Sequence, residues 1–352
     1  MLRKPLADGA AFVRHAVDHR ADAQPRQVVV LLVLGLRVDQ HVGGVAVGRV
    51  LAEPLHPPVA TSLAGVSVRR VEDITEALWG TKVSPSAVSR LNQKIYAKIE
   101  EWRNQPIDQE IPYVYLDGIW LKRSWGGEVK KVAVLVAIGV DSDGFRRILG
   151  VMEGMKEDHA SWLAFLRHLK ERGLESPRLI ISDKCLGLVE AIGDVYPESD
   201  WQRCMFHFMQ NIRKEVPKQR IREVSDMLGA IYAQEDRTAA LEKAAAVVVK
   251  LKERRLNKAA GILEAGIAET LTYYKYPSSH RRRIRTNNPL ERMNREIRRR
   301  TRVVGNFPDG QSALMLVAAR LRYVAGTTWG SKRYLDMSLL IEEGKEEPNL
   351  VA

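Results

Sequence analysis

The sequence predicts a mixed α/β fold, in which helices cover a sheet of both antiparallel and parallel strands. Three apolar, strand-like runs follow one another at 113–121, 129–140 and 146–153, with no helix between them. Helices then alternate with two further strand-like runs, the pattern of strands added in parallel through crossover connections. A stretch at 208–276, rich in Ala, Lys and Glu in its middle, predicts helices that separate this sheet from the last part of the chain.

The composition favours a polyanionic partner. The 352 residues are 45% apolar, enough for two or three compact domains, and they carry a net charge of +12 with a pI near 9.7. This charge favours nucleic acid first and an anionic membrane second, although an ordinary basic soluble protein can have the same total. The two cysteines, Cys185 and Cys204, exclude a disulfide framework and suit a reducing cytoplasm.

The first 62 residues give no clear structural signal. Residues 1–62 hold four of the eight histidines and show neither a helical period nor a strand alternation. Either this segment is poorly ordered or it is not a natural part of the functional fold. Its apolar run at 28–36 is too short to span a bilayer and too far from the amino terminus for a typical signal peptide, so we expect a cytoplasmic protein with no membrane partner.

The segment 63–104 predicts two helices joined by a short turn. The first follows an apolar period that ends at Gly80, and the second begins at Pro85 behind the capping residue Ser84 and continues to Trp102. This pattern is typical of a helix-turn-helix, whose second helix enters the major groove of DNA. The exposed DNA-binding candidates on that helix are Ser86, Ser89, Arg90 and Gln93. An ordinary helical hairpin has the same pattern, and both interpretations stay open.

The remaining elements define the boundaries of one larger domain. Its first part occupies 113–207, a helical insertion follows at 208–280, and 281–340 completes it. After the first three strands, the pattern predicts these elements: a helix at 158–171, a strand at 178–182, a helix at 186–195, a strand near 201–207, and helices at 289–300 and 310–323.

Three carboxylates in this domain predict a metal site. Asp117 lies inside an apolar strand, where an unpaired carboxylate is costly, and Asp183 ends a buried strand, where α/β sheets place ligands. Glu291 lies on a helix, at the border between its apolar face and its arginine face. Carboxylate oxygens suit Mg²⁺ or Mn²⁺, and two such ions support phosphoryl transfer. We therefore predict that Asp117, Asp183 and Glu291 are catalytic metal ligands.

Each carboxylate also has a structural explanation. Asp117 could be a strand-edge residue that faces water, although the apolar run around it weakens this explanation. Asp183 fits a turn or a helix cap, and Glu291 fits a capping box that begins at Asn288 with Pro289 in the first turn. Taken singly, these residues favour the structural role, whereas all three in this order favour the site. Glu296, on the other side of the apolar face, is the second candidate for the third carboxylate.

Basic residues surround the third carboxylate. Ten arginines lie between 281 and 302, and those on the polar face of the helix are predicted to contact the DNA backbone: Arg295, Arg298, Arg299 and Arg302. Upstream, Cys204 and His207 have the spacing of a zinc pair. A structural zinc ion normally takes four ligands and no second pair is near in sequence, so packing or hydrogen bonding at a strand end is the favoured role.

Four stretches carry a resemblance to a known family: YVYLDG at 113–118, LIISD at 179–183, WQRCMFHF at 201–208 and NNPLERMNREIRRRTRVVGNFP at 287–308. In this order they resemble the mutator-type family of bacterial insertion-sequence transposases, which is of the three-carboxylate DDE type. The resemblance extends from about Gly65 to Leu335. Two features depart from it: the segment 184–186, where the family more often has a histidine, and the amino-terminal region.

The resemblance implies a ribonuclease-H-like catalytic domain that contains a helical insertion. It implies that Asp117, Asp183 and Glu291 are catalytic and bind Mg²⁺ or Mn²⁺, and that Cys204 and His207 form the family's Cys-x-x-His signature. The implied partner is double-stranded DNA, at transposon ends and at the target. Pairing two ends favours a homo-oligomer, and the expected location is the nucleoid of a bacterial cytoplasm.

The predicted function is therefore DNA transposition. Water attacks a phosphodiester at the element end, and the freed 3′-hydroxyl attacks a target phosphate in the same site. A catalytically silent DNA-binding remnant of a decayed element is the alternative. A nuclease that cleaves without joining is a third possibility.

Overall fold

The computed structural model describes residues 84–125, 128–154, 156–304, 307 and 310–343. The chain forms two compact units, Met1–Asn92 and Gln93–Ala352, and the first is described only from Ser84 onward. Helix α1, Pro85–Arg103, begins where the Ser84–Pro85 pattern predicts. The preceding predicted helix, which ends at Gly80, lies outside the described residues, as does the segment 1–62.

A five-stranded mixed sheet forms the centre of the second unit, which confirms the predicted mixed α/β class. The strands are β1 Tyr113–Trp125, β2 Glu128–Val140, β3 Arg146–Gly154, β4 Leu179–Ser182 and β5 Asp200–Arg203. Their order across the sheet is β3-β2-β1-β4-β5. The pairs β1–β2 and β2–β3 are antiparallel, whereas β1–β4 and β4–β5 are parallel. The two parallel additions are the ones that follow crossover helices.

The first strand is longer than predicted. The apolar run in the sequence ends at Leu121, but β1 continues to Trp125 because its ladder to β2 continues to the pair Trp125–Glu128. Lys122 of this extension is exposed, and so is Lys131, which lies opposite on β2. The exposed end of a hairpin needs backbone hydrogen bonds but no alternation of apolar and polar residues. The hydrophobic pattern therefore could not predict the extension of β1.

Helices cover both faces of the sheet. Helices α2, His159–Glu171, and α3, Leu186–Val195, pack on one face, where they share a buried core with the strands. Trp162 and Phe165 of α2 are fully buried in this core. On the other face lie α9, Asn288–Val304, which contacts β1, and α10, Gly310–Ala325, which contacts β1 and β3. The burial of these apolar faces is the main stabilising contribution to the domain.

The chain between β5 and α9 is helical. Its α-helices are α4 Met205–Lys214, α5 Ile221–Ile231, α6 Arg237–Glu253, α7 Asn257–Gly266 and α8 Ser278–Ile284. Short 3₁₀ turns join several of them. Two last helices, α11 Thr328–Ser331 and α12 Ser338–Glu343, follow α10. Within the described ranges, none of the helices has the length and hydropathy needed to cross a bilayer.

The predicted strand near 201–207 is wrong in its second half. Strand β5 ends at Arg203, and α4 begins at Met205, so Cys204 lies at the start of a helix and His207 lies in its first turn. The apolar residues of this segment, such as Phe208, are buried by the helical face of α4. A short apolar run allows either a strand or a helix, and tertiary packing decides here for the helix.

The turn between β2 and β3 requires a glycine. Gly144 has a φ of +86°, and a Cβ at this position would collide with the carbonyl oxygen of Leu335. We expect Gly144→Ala to lower the free energy of unfolding by about 1–3 kcal/mol. Alanine is strained at this positive φ, and its Cβ would push the backbone of Leu335 away from the turn. Chemical denaturation measures this change.

Gly193 provides the matched control for Gly144→Ala. It lies on α3, is exposed, and has nothing within 4 Å of an added Cβ. Gly193→Ala should therefore raise the free energy of unfolding by about 0.5–1 kcal/mol, since alanine favours helix. Equal effects of the two substitutions would contradict the role given to the turn.

Candidate active site

Strand pairing brings the first two carboxylates together. In the parallel pair β1–β4, Tyr115 lies opposite Ile181, so Asp117 and Asp183, each two residues further along the chain, lie side by side. Asp183 directly follows the last residue of β4, at the carboxyl end of the strand, where α/β sheets place ligands. Its side chain is 44% exposed, whereas Asp117 is partly buried in the middle of the longer strand.

Helix α9 brings the third carboxylate to the same cleft. Glu291 lies in its first turn, and its side chain is 17% exposed. An open cleft of about 720 Å³ is lined by all three predicted carboxylates, Asp117, Asp183 and Glu291. The structure thus places β1, β4 and α9 around one volume.

The predicted cap of α9 is shifted by one residue. The helix begins at Asn288, and the carbonyl oxygen of Asn287 accepts the backbone N–H of Glu291 at 3.0 Å. Asn288 is therefore inside the helix, and the predicted capping box does not hold. The Asn287 side chain instead donates to the carbonyl oxygen of Leu116 at 2.9 Å. Its backbone N–H lies 3.3 Å from Sγ of Cys204. These contacts fix the start of α9 against β1 and the end of β5.

His207 lies between two of the carboxylates. Its Nδ1 is 3.9 Å from Oδ2 of Asp183, and its Nε2 is 3.7 Å from Oε1 of Glu291. Both distances exceed those of hydrogen bonds, so the interactions are electrostatic. The neighbouring Cys204 thiol, together with the two carboxylates, raises the pKa of His207 to about 9. The imidazole is therefore a cation at neutral pH and offsets part of the negative charge of the cleft.

Asp117 is the most desolvated of the three carboxylates. Its Oδ1 accepts the backbone N–H of Gly118 at 2.9 Å, and its Oδ2 accepts Nδ2 of Asn294 at 2.6 Å. Burial raises its pKa to about 6, although these hydrogen bonds and the charge of His207 act in the opposite direction. A desolvated carboxylate without a cation in direct contact is costly, so this position favours a bound positive charge.

A fourth carboxylate, Glu157, lines the cleft and is absent from the sequence-based prediction. Burial, followed by the charges of Asp117 and Asp183, raises its pKa. It approaches β1 at Gly118, where any Cβ would collide with its carboxylate. Glu157 lies in a loop before α2, and loops have no periodicity that could indicate a site. Among the sequence signals, only the glycine that follows Asp117 points to a close approach at this place.

The arginines of α9 form one wall of the cleft. Arg295, Arg298 and Arg299 line it and are exposed. Arg302 belongs to the same helix, but its side chain lies outside the described part of the chain. Exposed guanidinium groups next to clustered carboxylates suit a substrate with a negatively charged backbone.

Glu296 is engaged elsewhere, although it also reaches the rim of the cleft. Its carboxylate accepts from Arg299 and Arg300 and from Arg320 of α10, at 2.9–3.2 Å. These arginines lower the pKa of Glu296 to about 2, and the hydrogen bonds from Arg299 are the largest cause. Three arginines already compensate this carboxylate, so its contacts tie α9 to α10.

The DNA-binding candidates on α1 are described only in part. Ser86 and Arg90 are exposed on this helix. The side chains of Ser89 and Gln93 lie outside the described part of the chain. The remaining cysteine, Cys185, precedes α3 and donates its thiol to the carbonyl oxygen of Glu157 at 3.0 Å. It is only partly buried.

The donor set of the cleft fits a divalent cation. Asp117, Asp183, Glu157 and Glu291 supply hard oxygen ligands, which Mg²⁺ and Mn²⁺ prefer. Burial is the main cause of the raised pKa values of Asp117 and Glu157, and such an ion would favour the charged forms of both carboxylates. In the described ranges, one group of three possible metal ligands has donor atoms that all lie within 4.8 Å of one another. This group consists of Cys204, His207 and Glu291. Only Glu291 of the three predicted ligands belongs to that closer group.

Comparisons with known proteins show the family of this chain. The family described as "Transposase, Mutator family" matches residues 58–328. The transposase for insertion sequence element IS406 of Burkholderia multivorans is 38% identical over 307 residues, which cover 86% of this chain and 76% of the relative. The transposase for IS1081 of Mycobacterium tuberculosis is 39% identical over 280 residues, or 79% of this chain and 67% of the relative. The transposase for ISRM5 of Rhizobium meliloti is 36% identical over 281 residues, or 80% of this chain and 70% of the relative. The chain therefore belongs to the Mutator family of transposases.

Proposed function

We propose that the protein is a DNA transposase that cleaves DNA at element ends and joins the freed 3′-hydroxyl to target DNA. The single observation that carries this proposal is the convergence of Asp117, Asp183 and Glu291 on one cleft with an arginine wall. The carboxylates come from β1, β4 and α9, which are far apart in sequence. A purely structural role for each residue would not require that they meet.

The sheet and its helical segment support a ribonuclease-H-like catalytic domain. The resemblance implies a mixed sheet in which a helical insertion separates the second aspartate from the glutamate. The observed helices α4 to α8 lie in the chain between Asp183 on one side and Glu291 on the other. We propose this fold for the residues that the resemblance covers.

The proposed ligands of Mg²⁺ or Mn²⁺ are Asp117, Asp183 and Glu291. When bound, such ions activate the attacking oxygen and stabilise the leaving oxygen in phosphoryl transfer. The chain itself orients the ligands: Asn294 and the N–H of Gly118 fix the Asp117 carboxylate, and the N–H of Lys184 binds Oδ1 of Asp183 at 2.8 Å. The cationic His207 holds the side chains of Asp183 and Glu291 near each other.

The basic residues are proposed to position DNA. Arg295, Arg298 and Arg299 would bind backbone phosphates at the cleft, and phosphate contacts of this kind make affinity fall as salt rises. Arg302 and the α1 residues Ser86, Ser89, Arg90 and Gln93 are further proposed contacts. Because two element ends must be held together, we also propose a homo-oligomer that acts in the bacterial nucleoid.

The test is cleavage and joining of labelled DNA that carries the ends of the flanking element, with Mg²⁺ or Mn²⁺. The wild type is expected to release a 3′-hydroxyl and to transfer it to target DNA, and chelation with EDTA should abolish both reactions. A pre-cut substrate with a free 3′-hydroxyl measures joining separately.

The same assay distinguishes the two other functions. A protein that binds these ends but never cuts them is a silent DNA-binding remnant. A protein that cuts but does not join the pre-cut end is a nuclease. Either result would replace the proposed transposase chemistry.

A further inference from the structure

A second pocket, of about 490 Å³, lies next to the carboxylate cleft and has no role in the proposed chemistry. We call it the Arg146 pocket. Its basic lining residues are Arg146, Arg282, Arg283, Arg292, Lys332 and Arg333. Among the described residues of its lining, the one acidic side chain is Glu296, whose charge three other arginines compensate. The pocket is therefore strongly positive, which predicts an anionic occupant.

Arg146 has the geometry of a prepared anion-binding arginine. Its guanidinium carbon lies 4.7 Å from the ring centroid of Trp329 and 4.8 Å from that of Tyr334. Its Nε is buried and has no hydrogen-bond partner among the described residues. An arginine stays charged, so a guanidinium with an unsatisfied N–H beside a basic cavity favours an anion close to it.

A guanidinium that stacks on aromatic rings keeps its N–H donors for other partners. Stacking on an aromatic ring uses the face of the guanidinium, whereas its N–H donors lie in the plane. A planar fork of donors held in this way matches two oxygens of a phosphate. Lysine has the same charge but lacks the fork, so the arrangement is specific for arginine.

The rings that hold Arg146 are fixed by the fold. The backbone N–H of Tyr334 donates to the carbonyl oxygen of Gly144 at 2.7 Å, and Nε of Arg333 donates to that of Asp143 at 3.1 Å. Arg283 lies over the Tyr334 ring, 4.9 Å from its centroid. The turn that precedes β3 thus anchors the segment that carries the ring. A preorganised donor of this kind loses little entropy when a ligand binds.

The Arg146 pocket and the cleft meet on helix α9. Both are lined by Arg292 and Glu296, so they occupy neighbouring faces of the same helix. A polyanionic strand whose reacting phosphate lies in the cleft can cross α9 at the exposed Arg292 and enter the pocket. A single small anion would not need two adjoining sites.

We propose that the Arg146 pocket binds a backbone phosphate of the DNA whose reacting phosphate lies in the carboxylate cleft, with Arg146 as a two-pronged donor. This inference rests on the proposed DNA substrate, but it adds a contact that neither the motifs nor the arginine wall of the cleft indicates. The shared chemistry is that of a phosphate group, for which a free nucleoside triphosphate is the other source.

The test is the affinity of the full chain for a fluorescent DNA duplex in EDTA, measured by anisotropy over a range of salt concentrations. Arg146→Gln should weaken binding about tenfold, the effect of a lost charge-assisted pair, and should lower the slope of log affinity against log salt by about one. Arg146→Lys should keep the slope and give intermediate affinity. Labelled ATP is titrated in parallel.

Two further variants keep the test independent of folding. Arg282→Gln removes an exposed charge at the pocket and should weaken duplex binding about two- to fivefold. Arg222→Gln makes the same charge change at an exposed position of α5 and should have no more than a marginal effect.

The outcomes separate the inference from the proposed reaction. If Arg146→Gln and Arg282→Gln bind DNA as Arg222→Gln does, the Arg146 pocket is not a DNA site. If these variants lose ATP binding while duplex affinity is unchanged, the occupant is a nucleotide and the inference is wrong. If they weaken duplex binding although the wild type never cleaves with Mg²⁺, the pocket is supported and the proposed chemistry fails.

Discussion

Asp117→Asn is expected to lower metal-dependent DNA cleavage by on the order of a thousandfold while the fold is retained. A lost metal ligand removes several kcal/mol of transition-state stabilisation, and roughly 1.4 kcal/mol corresponds to a factor of ten in rate. The amide keeps the size of the side chain, and its one oxygen can accept from Asn294, whereas the hydrogen bond from the N–H of Gly118 is lost. Because burial raises the pKa of Asp117 to about 6, the neutral side chain should also keep or raise the melting temperature of the metal-free protein.

The measurements are single-turnover cleavage of an end-labelled duplex and thermal denaturation of the same samples. Asp194→Asn is the matched control, since Asp194 is exposed on α3 and pairs with His159 outside the cleft. It should leave cleavage unchanged. Cleavage by Asp117→Asn at the wild-type rate would show that Asp117 is not part of the catalytic site. A large decrease in melting temperature would instead indicate a structural role.

The second large effect is expected from a pair of variants on α9. Glu291→Gln should lower cleavage by a factor similar to that of Asp117→Asn, because Glu291 lines the cleft and has His207 and Cys204 as its neighbours. Glu296→Gln should retain cleavage. It should instead lower the free energy of unfolding by about 1–3 kcal/mol, since Glu296 joins α9 to Arg320 of α10.

Cleavage assays and chemical denaturation together decide between the two glutamates. Glu291→Gln should lower cleavage and leave stability unchanged, whereas Glu296→Gln should lower stability and leave cleavage unchanged. Each variant is therefore a control for the other. The reverse result, with cleavage lost only in Glu296→Gln, would move the third ligand to Glu296. Loss of cleavage in both variants at normal stability would mean that both carboxylates act in the reaction.

The sheet was largely predictable because its strands are strongly apolar. Predicted and observed bounds agree closely for β2, β3, α2 and α3. Each of these elements has a period that matches its secondary structure and buries one face or both. The order of the strands across the sheet, in contrast, depends on long-range pairing, which no local pattern contains.

The candidate site was predictable only in part. The motifs identify Asp117, Asp183 and Glu291, and the structure brings these residues to one cleft. The pattern does not show that His207 lies between two of them, because the segment after β5 has the apolar content of a strand and forms a helix instead. Glu157 enters the cleft from a loop, and its approach depends on the fold of β1. Neighbours of this kind follow from tertiary structure alone.

Asn287 has a consequence for how this enzyme family can vary in length. Its side chain binds the carbonyl oxygen of Leu116, 171 residues away in the chain, and its backbone N–H contacts Cys204, 83 residues away. The start of α9 is therefore attached to the sheet directly, and not through the helices that precede it. Insertions or deletions in the loops between α5 and α7 are expected to leave Glu291 in place, provided that this attachment and His207 of α4 remain. The helical segment is thus a natural place for sequence drift and for engineered fusions.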